Sequence, residues 1–185
     1  MSKEAFANTI ISKLRSSIGT SGYGESTPVS ANAAIAEGIT EYILANTTVR
    51  VTYQGVMPNG LNDPLIIDSF PVIGSCAPVP VSPDFDSWLA LLKVNIETGF
   101  SIVTGNAGLL FTTLPFNPIV PISVVRNSLT PIAETNDNNV QQQVWEFICD
   151  GILNWLNGAP NPAATGAATH ASSAGIAKVV SVVVT

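Results

Sequence analysis

Apolar residues recur at three- and four-residue intervals in four stretches of the chain and alternate or cluster with β-branched residues in several others. That mixture predicts helices set against strands. Phe6, Ile10 and Leu14 repeat every four residues with Ile11 beside them, while Lys3, Glu4, Lys13 and Arg15 fall elsewhere; the spacing predicts an amphipathic helix over residues 3–15. A helix of that length is marginal alone in water, so it must pack on something. Gly19 to Ser26 reads as a flexible connector. A helix so tethered either folds back on its own domain or reaches a neighbour, and the fold-back is slightly favoured.

A second helix is predicted from Ala31 to Ala45, with Ser30 as its N-cap, Ala34, Ile35, Ile39, Tyr42 and Ile43 as one stripe, and Asn46 as a left-handed stop. Thr47 to Gln54 follows as a strand rich in Thr, Val and Tyr. Pro58-Asn59-Gly60 and Asn62-Asp63-Pro64 are turn chemistry, and Leu65 to Ile73 is a second strand, antiparallel to the first across a long loop. Pro78, Pro80 and Pro83 make the next segment extended but bar it from a central strand. Ser82 is the expected cap of a third helix reaching Thr98, closed by Gly99; its near-continuous apolar sequence, with Trp88, Leu89, Leu91, Leu92, Val94 and Ile96, marks it as the most buried helix.

Beyond it, Leu109–Leu114 and Ile119–Val125 are strand candidates, and residues 136–157 form a fourth helix with Val144, Phe147, Ile148, Gly151, Ile152 and Trp155 on one face. Gly158 to Gly175 is low-complexity sequence with little to drive a core. The segment Ile176–Thr185 is a strand of high β-propensity that must join a sheet, its own or a neighbour's, because left bare it invites aggregation. The fold class expected is therefore α+β: a single domain of about four helices on a mainly antiparallel sheet of four to six strands, with flexible N- and C-terminal arms. The divisions are 1–18 (N-terminal helix or arm), 30–157 (core), 158–175 (linker) and 176–185 (C-terminal strand).

Composition changes this picture. Of 185 residues, 11 % are charged and 46 % hydrophobic, whereas a soluble domain ordinarily keeps about a quarter of its residues charged. Such a surface is best covered by protein, above all by copies of the same chain. The net charge of −6 and the scattered basic residues offer no stripe for phosphates, which argues against nucleic acid and against an anionic membrane surface. The N-terminal pattern lacks the unbroken apolar core of a secretory signal peptide. Phe100 to Val125 is apolar but interrupted by Pro115, Pro118 and Pro121, which argues against a spanning helix.

Catalytic chemistry is sparse. His170 is the single histidine and lies in Ala/Thr/Ser-rich sequence with no orienting group near it in the chain. Cys76 and Cys149 are too few for a zinc site and read as buried apolar side chains, with a disulfide as the alternative. No phosphate loop, nucleophile elbow or metalloprotease motif occurs. Asp84 and Asp86 read as helix-start residues, and Gly105-Asn106-Ala107-Gly108 as a turn. Trp88, Trp145 and Trp155 fall on apolar helix faces, where packing is the leading role and a sugar or partner platform the second. The chain reads as a non-enzyme, with no metal, cofactor or small-molecule substrate.

The low-charge Asn/Thr/Ala/Pro-rich composition, the turn segment Tyr53-Gln54-Gly55-Val56-Met57-Pro58-Asn59-Gly60 with Asp63-Pro64, and the run into Lys178–Thr185 resemble the small structural proteins of tailed bacteriophage virions (head-decoration, neck, tail or baseplate subunits). The resemblance implies assembly by repeated copies with other virion proteins, in a particle built in the host cytoplasm, without a cofactor and without catalytic residues. The expected subunit contacts are Phe6, Ile10 and Leu14 in the first helix and Val179, Val180, Val182, Val183 and Val184 in the last strand. Two other classes stay open: a receptor- or carbohydrate-binding module using an exposed aromatic pocket, and a membrane-active protein.

Overall fold

A computed structural model describes residues 2–18, 28–54, 66–82, 84–102, 105–106, 109–110, 114–115, 140–158, 167–170 and 176–184. The expected connector 19–26, the turns at 58–60 and 62–64, the strand candidate 119–125 and the polar helix start 136–139 lie outside them.

Among the described residues the chain is mainly helical, with four helices: α1 (Lys3–Ile18), α2 (Pro28–Asn46), α3 (Phe85–Gly99) and α4 (Val140–Gly158). They accompany an antiparallel sheet whose nucleus is β1 (Thr48–Gln54) against β2 (Ile66–Gly74). The remaining strands are β3 (Phe100–Ile102), β4 (Gly105–Asn106), β5 (Leu109–Leu110), β6 (Leu114–Pro115), β7 (Ala167–His170) and β8 (Ile176–Val184). Their order is β4-β5-β7-β8-β1-β2-β3-β6, and every pairing is antiparallel. Only β1, β2 and β8 exceed four residues, so these three adjacent strands carry most of the ladder.

α1 and α2 form a tight pair. Ser2 starts α1, its carbonyl accepting the Phe6 N–H at 3.1 Å. Phe6 stacks on Tyr42 with ring centres 4.2 Å apart and planes 6° from parallel. The Tyr42 hydroxyl accepts the Ser2 N–H at 2.9 Å and donates to the Ser2 carbonyl at 3.0 Å, tying the start of the chain to α2. Lower down, Ile10 faces Gly38, where a Cβ would stand 2.8 Å from the Ile10 Cα; the helices approach this closely because Gly38 has none. Lys13 closes the pair on the outside, 2.8 Å from both Glu37 and Glu41. Phe6 and Ile10 are fully buried, and burial of such side chains stabilises by roughly 1.5–3 kcal/mol each.

Several helix ends differ from the expectation. α2 begins at Pro28, not after Ser30; proline's fixed φ suits a first helical turn, where its missing N–H costs nothing. Asn46 belongs to the helix and ends it by donating its side-chain amide to the Tyr42 carbonyl at 2.9 Å. The cap of α3 is Asp84, not Ser82: the Asp84 carboxylate accepts both the N–H and the hydroxyl of Ser87, each at 2.8 Å. An ionised oxygen is the stronger acceptor for an orphan N–H, which moves the start two residues on.

The larger correction concerns burial. α3 is not the most buried helix. Leu89, Leu92 and Ile96 face the core, but Phe85, Leu91 and Val94 are exposed at 43 %, 39 % and 48 %. Its apolar residues run around the cylinder, and the core takes one side. α4 buries Trp145, Ile148, Cys149, Ile152, Leu153 and Leu156.

β2 changes partner along its length. Ile66 to Pro71 pair with β1, and Val72 to Gly74 pair with β3. β8 lies between β7 and β1, with Val184 opposite Val49, Val182 opposite Val51 and Val179 opposite Tyr53; the register shifts between Thr52 and Tyr53 and skips Val180. β7 lies inside the low-complexity stretch read as a linker, with His170 opposite Leu109. Neighbouring strands supply the pairing there that the segment's own propensity does not.

Candidate functional site

Three aromatic rings from two helices converge on one groove. Phe85 and Trp88, a turn apart at the start of α3, lie nearly parallel, 10° between planes and 6.0 Å between centres. Trp145 on α4 meets Trp88 edge to face, at 72° and 6.5 Å. Ile35 of α2, Val144 and Ile148 of α4, and Ser82 and Asp84 complete the lining of a space of about 440 Å³. Trp145 is 8 % exposed and forms the floor, while Phe85 forms the open wall. The Trp88 indole N–H donates to Asn32 Oδ1 of α2 at 3.1 Å, which fixes the ring between the two helices.

The donors of the groove are committed, and the Asp84 carboxylate is partly so. The Asp84 carboxylate holds Ser87, and the Ser82 hydroxyl donates to the Asp84 carbonyl at 3.2 Å. The bonds from Ser87 hold the Asp84 carboxyl below the usual carboxylate range, so it is ionised at neutral pH. Among the described residues, no arginine or lysine lines the groove.

A second depression of about 450 Å³ separates α1 from the start of α4 and is polar: Asn8, Ile11, Ser12, Arg15, Ser16 and Gln142 line it. The two thiols are free and buried in different places. Burial pushes Cys76 up to about 12 and Cys149 higher still, the latter with help from Glu146 and Asp150. Neither is a nucleophile at neutral pH.

The expected contact residues are brought to two separate places. Phe6, Ile10 and Leu14 are buried within their own chain, at 0 %, 0 % and 8 % exposure, in the fold-back arrangement of α1. Val179, Val182, Val183 and Val184 pair, by backbone register, with β1 of the same chain, and Val180 falls at the register shift. The sequence did not bring Asn32, Trp88 and Trp145 together, because they lie on three helices far apart in the chain; the apolar face around Trp88 was the available signal.

Among the described residues, no three or more His, Cys, Asp or Glu side chains are grouped to hold a metal ion, and no helix is long and apolar enough to cross a membrane. Comparison with protein-family models, with curated proteins and with solved structures finds no match.

Proposed function

We propose that the chain is a non-enzymatic structural subunit that assembles with copies of itself, in the manner of the small proteins of tailed-phage virions that it resembles. The observation that carries this reading is the outer side of α3. Leu91 and Val94 stand in water there, with Val81 of the preceding extended segment at 62 % exposure, on a chain with 11 % charged residues. Exposed apolar side chains on so weakly charged a surface are relieved by a second protein surface.

The chain is then one domain with two exchangeable ends. α1 and β8 border the Gly/Ser-rich stretch 19–26 and the Ala/Gly-rich stretch 158–175. Contacts such as Phe6 on Tyr42, or β8 on β1, have the same chemistry whether one chain supplies both sides or two copies exchange them. Phe6, Ile10, Leu14 and the valines of β8 are then subunit contacts in the assembled state.

Electron microscopy of the concentrated protein tests the proposal. Rings, tubes or shells of regular symmetry support it; singly dispersed particles at every concentration contradict it.

A further inference from the structure

Among the described residues, the groove between α2, α3 and α4 offers aromatic and aliphatic surface beside one carboxylate. Its hydroxyl, its carboxylate and its indole N–H are each already hydrogen-bonded within the protein. The exposed Asp84 carboxylate keeps acceptor capacity beyond its two bonds from Ser87; the rest of the lining offers a ligand aromatic and aliphatic contact. The exposed Phe85 ring, stacked on the half-buried Trp88 above the nearly buried Trp145, forms the open aromatic wall.

Charge selects among ligands that need no hydrogen bonds. Asp84 lines the groove and Asp86 shares the first turn of α3. The helix N-terminus offsets them by only about half a positive charge, and among the described residues no basic side chain lines the space. Aromatic faces, tryptophan's above all, attract a cation through their quadrupole. We propose that this groove binds a quaternary ammonium group, a cation that brings charge and methyl surface without N–H donors. The volume of about 440 Å³ suits a small organic ligand. The inference is independent of assembly, since a monomer would bind as well.

The test is a calorimetric titration of the full chain with choline, beside 3,3-dimethylbutan-1-ol, the neutral molecule of the same shape. Choline should bind saturably and the alcohol at least several-fold more weakly. Asp84→Asn keeps a capping oxygen for Ser87 and removes the charge; it should weaken choline and flatten the salt dependence while the circular dichroism is unchanged. Phe85→Ala, at an exposed position, should weaken choline about fivefold. Equal binding of the two probes, or choline binding unaffected by both substitutions, overturns the proposal, as does no saturable signal from choline. Sedimentation with phosphatidylcholine vesicles, blocked by free choline, would assign the cation to a lipid headgroup; free choline bound without vesicle sedimentation would assign it to a soluble ligand.

Discussion

Gly74 and Gly99 lie backbone against backbone where β2 ends and α3 gives way to β3. The Gly99 carbonyl accepts the Ser75 N–H at 3.0 Å, and a Cβ on Gly74 would stand 2.0 Å from that same oxygen. Gly74 also has φ +120°, a conformation that L side chains rarely adopt. A Cβ on Gly99 would in turn meet the Ser75 carbonyl at 2.2 Å. Gly74→Ala should therefore destabilise by about 2–4 kcal/mol, from left-handed strain together with overpacking, and Gly99→Ala by about 1–3 kcal/mol. Urea unfolding followed by circular dichroism measures both.

The α1–α2 pair has its own steric limit at Gly38. Gly38→Ala adds a methyl 2.8 Å from the Ile10 backbone and should cost about 1–3 kcal/mol. The usual gain from replacing a helical glycine by alanine, about 1 kcal/mol, is too small to reverse the sign. Ile10→Ala, at a fully buried position, should cost about 2–5 kcal/mol. Thermal melts of both variants check the order.

Both thiols should resist alkylation in the folded protein at pH 8 and react once it is denatured. Their raised folded values carry a sign for stability. The unfolded thiols lose protons near the ordinary value of 9.0, while the folded Cys76 holds its proton to about 12. Above pH 9 the unfolded state therefore binds fewer protons, and stability falls as pH rises from about 9 toward 12. Cys76→Ser and Cys149→Ser should each place a hydroxyl in an apolar site and lower the melting temperature.

β8 is an inner strand, paired with β7 on one side and β1 on the other. Deleting residues 177–185 should strip both partners and leave the protein insoluble or unfolded. A shortened chain with native circular dichroism and full solubility would remove β8 from the account.

Much of this architecture was legible in local pattern. The four-residue repeat of Phe6, Ile10 and Leu14 placed α1, and the β-branched run after Asn46 together with Leu65–Ile73 placed the β1–β2 pair. Long-range geometry escaped. α3 looked the most buried helix because sequence counts apolar residues without saying how many sides the core will cover. Ser82 and Asp84 are both good caps by type, and only the bonds to Ser87 choose between them. β7 was read as linker because its Ala/Thr composition carries no strand signal of its own. The aromatic groove needed Asn32, Trp88 and Trp145 from three helices, which no window along the chain contains.

The central claim is that copies of the chain cover the apolar outer side of α3, and light scattering across a concentration series tests it most directly. The expected mass is a defined multiple of the 19.3 kDa chain. Leu91→Asp with Val94→Asp should reduce it to one chain without loss of helical signal. A native protein that stays at 19.3 kDa at high concentration, or an assembly indifferent to both substitutions, would contradict it.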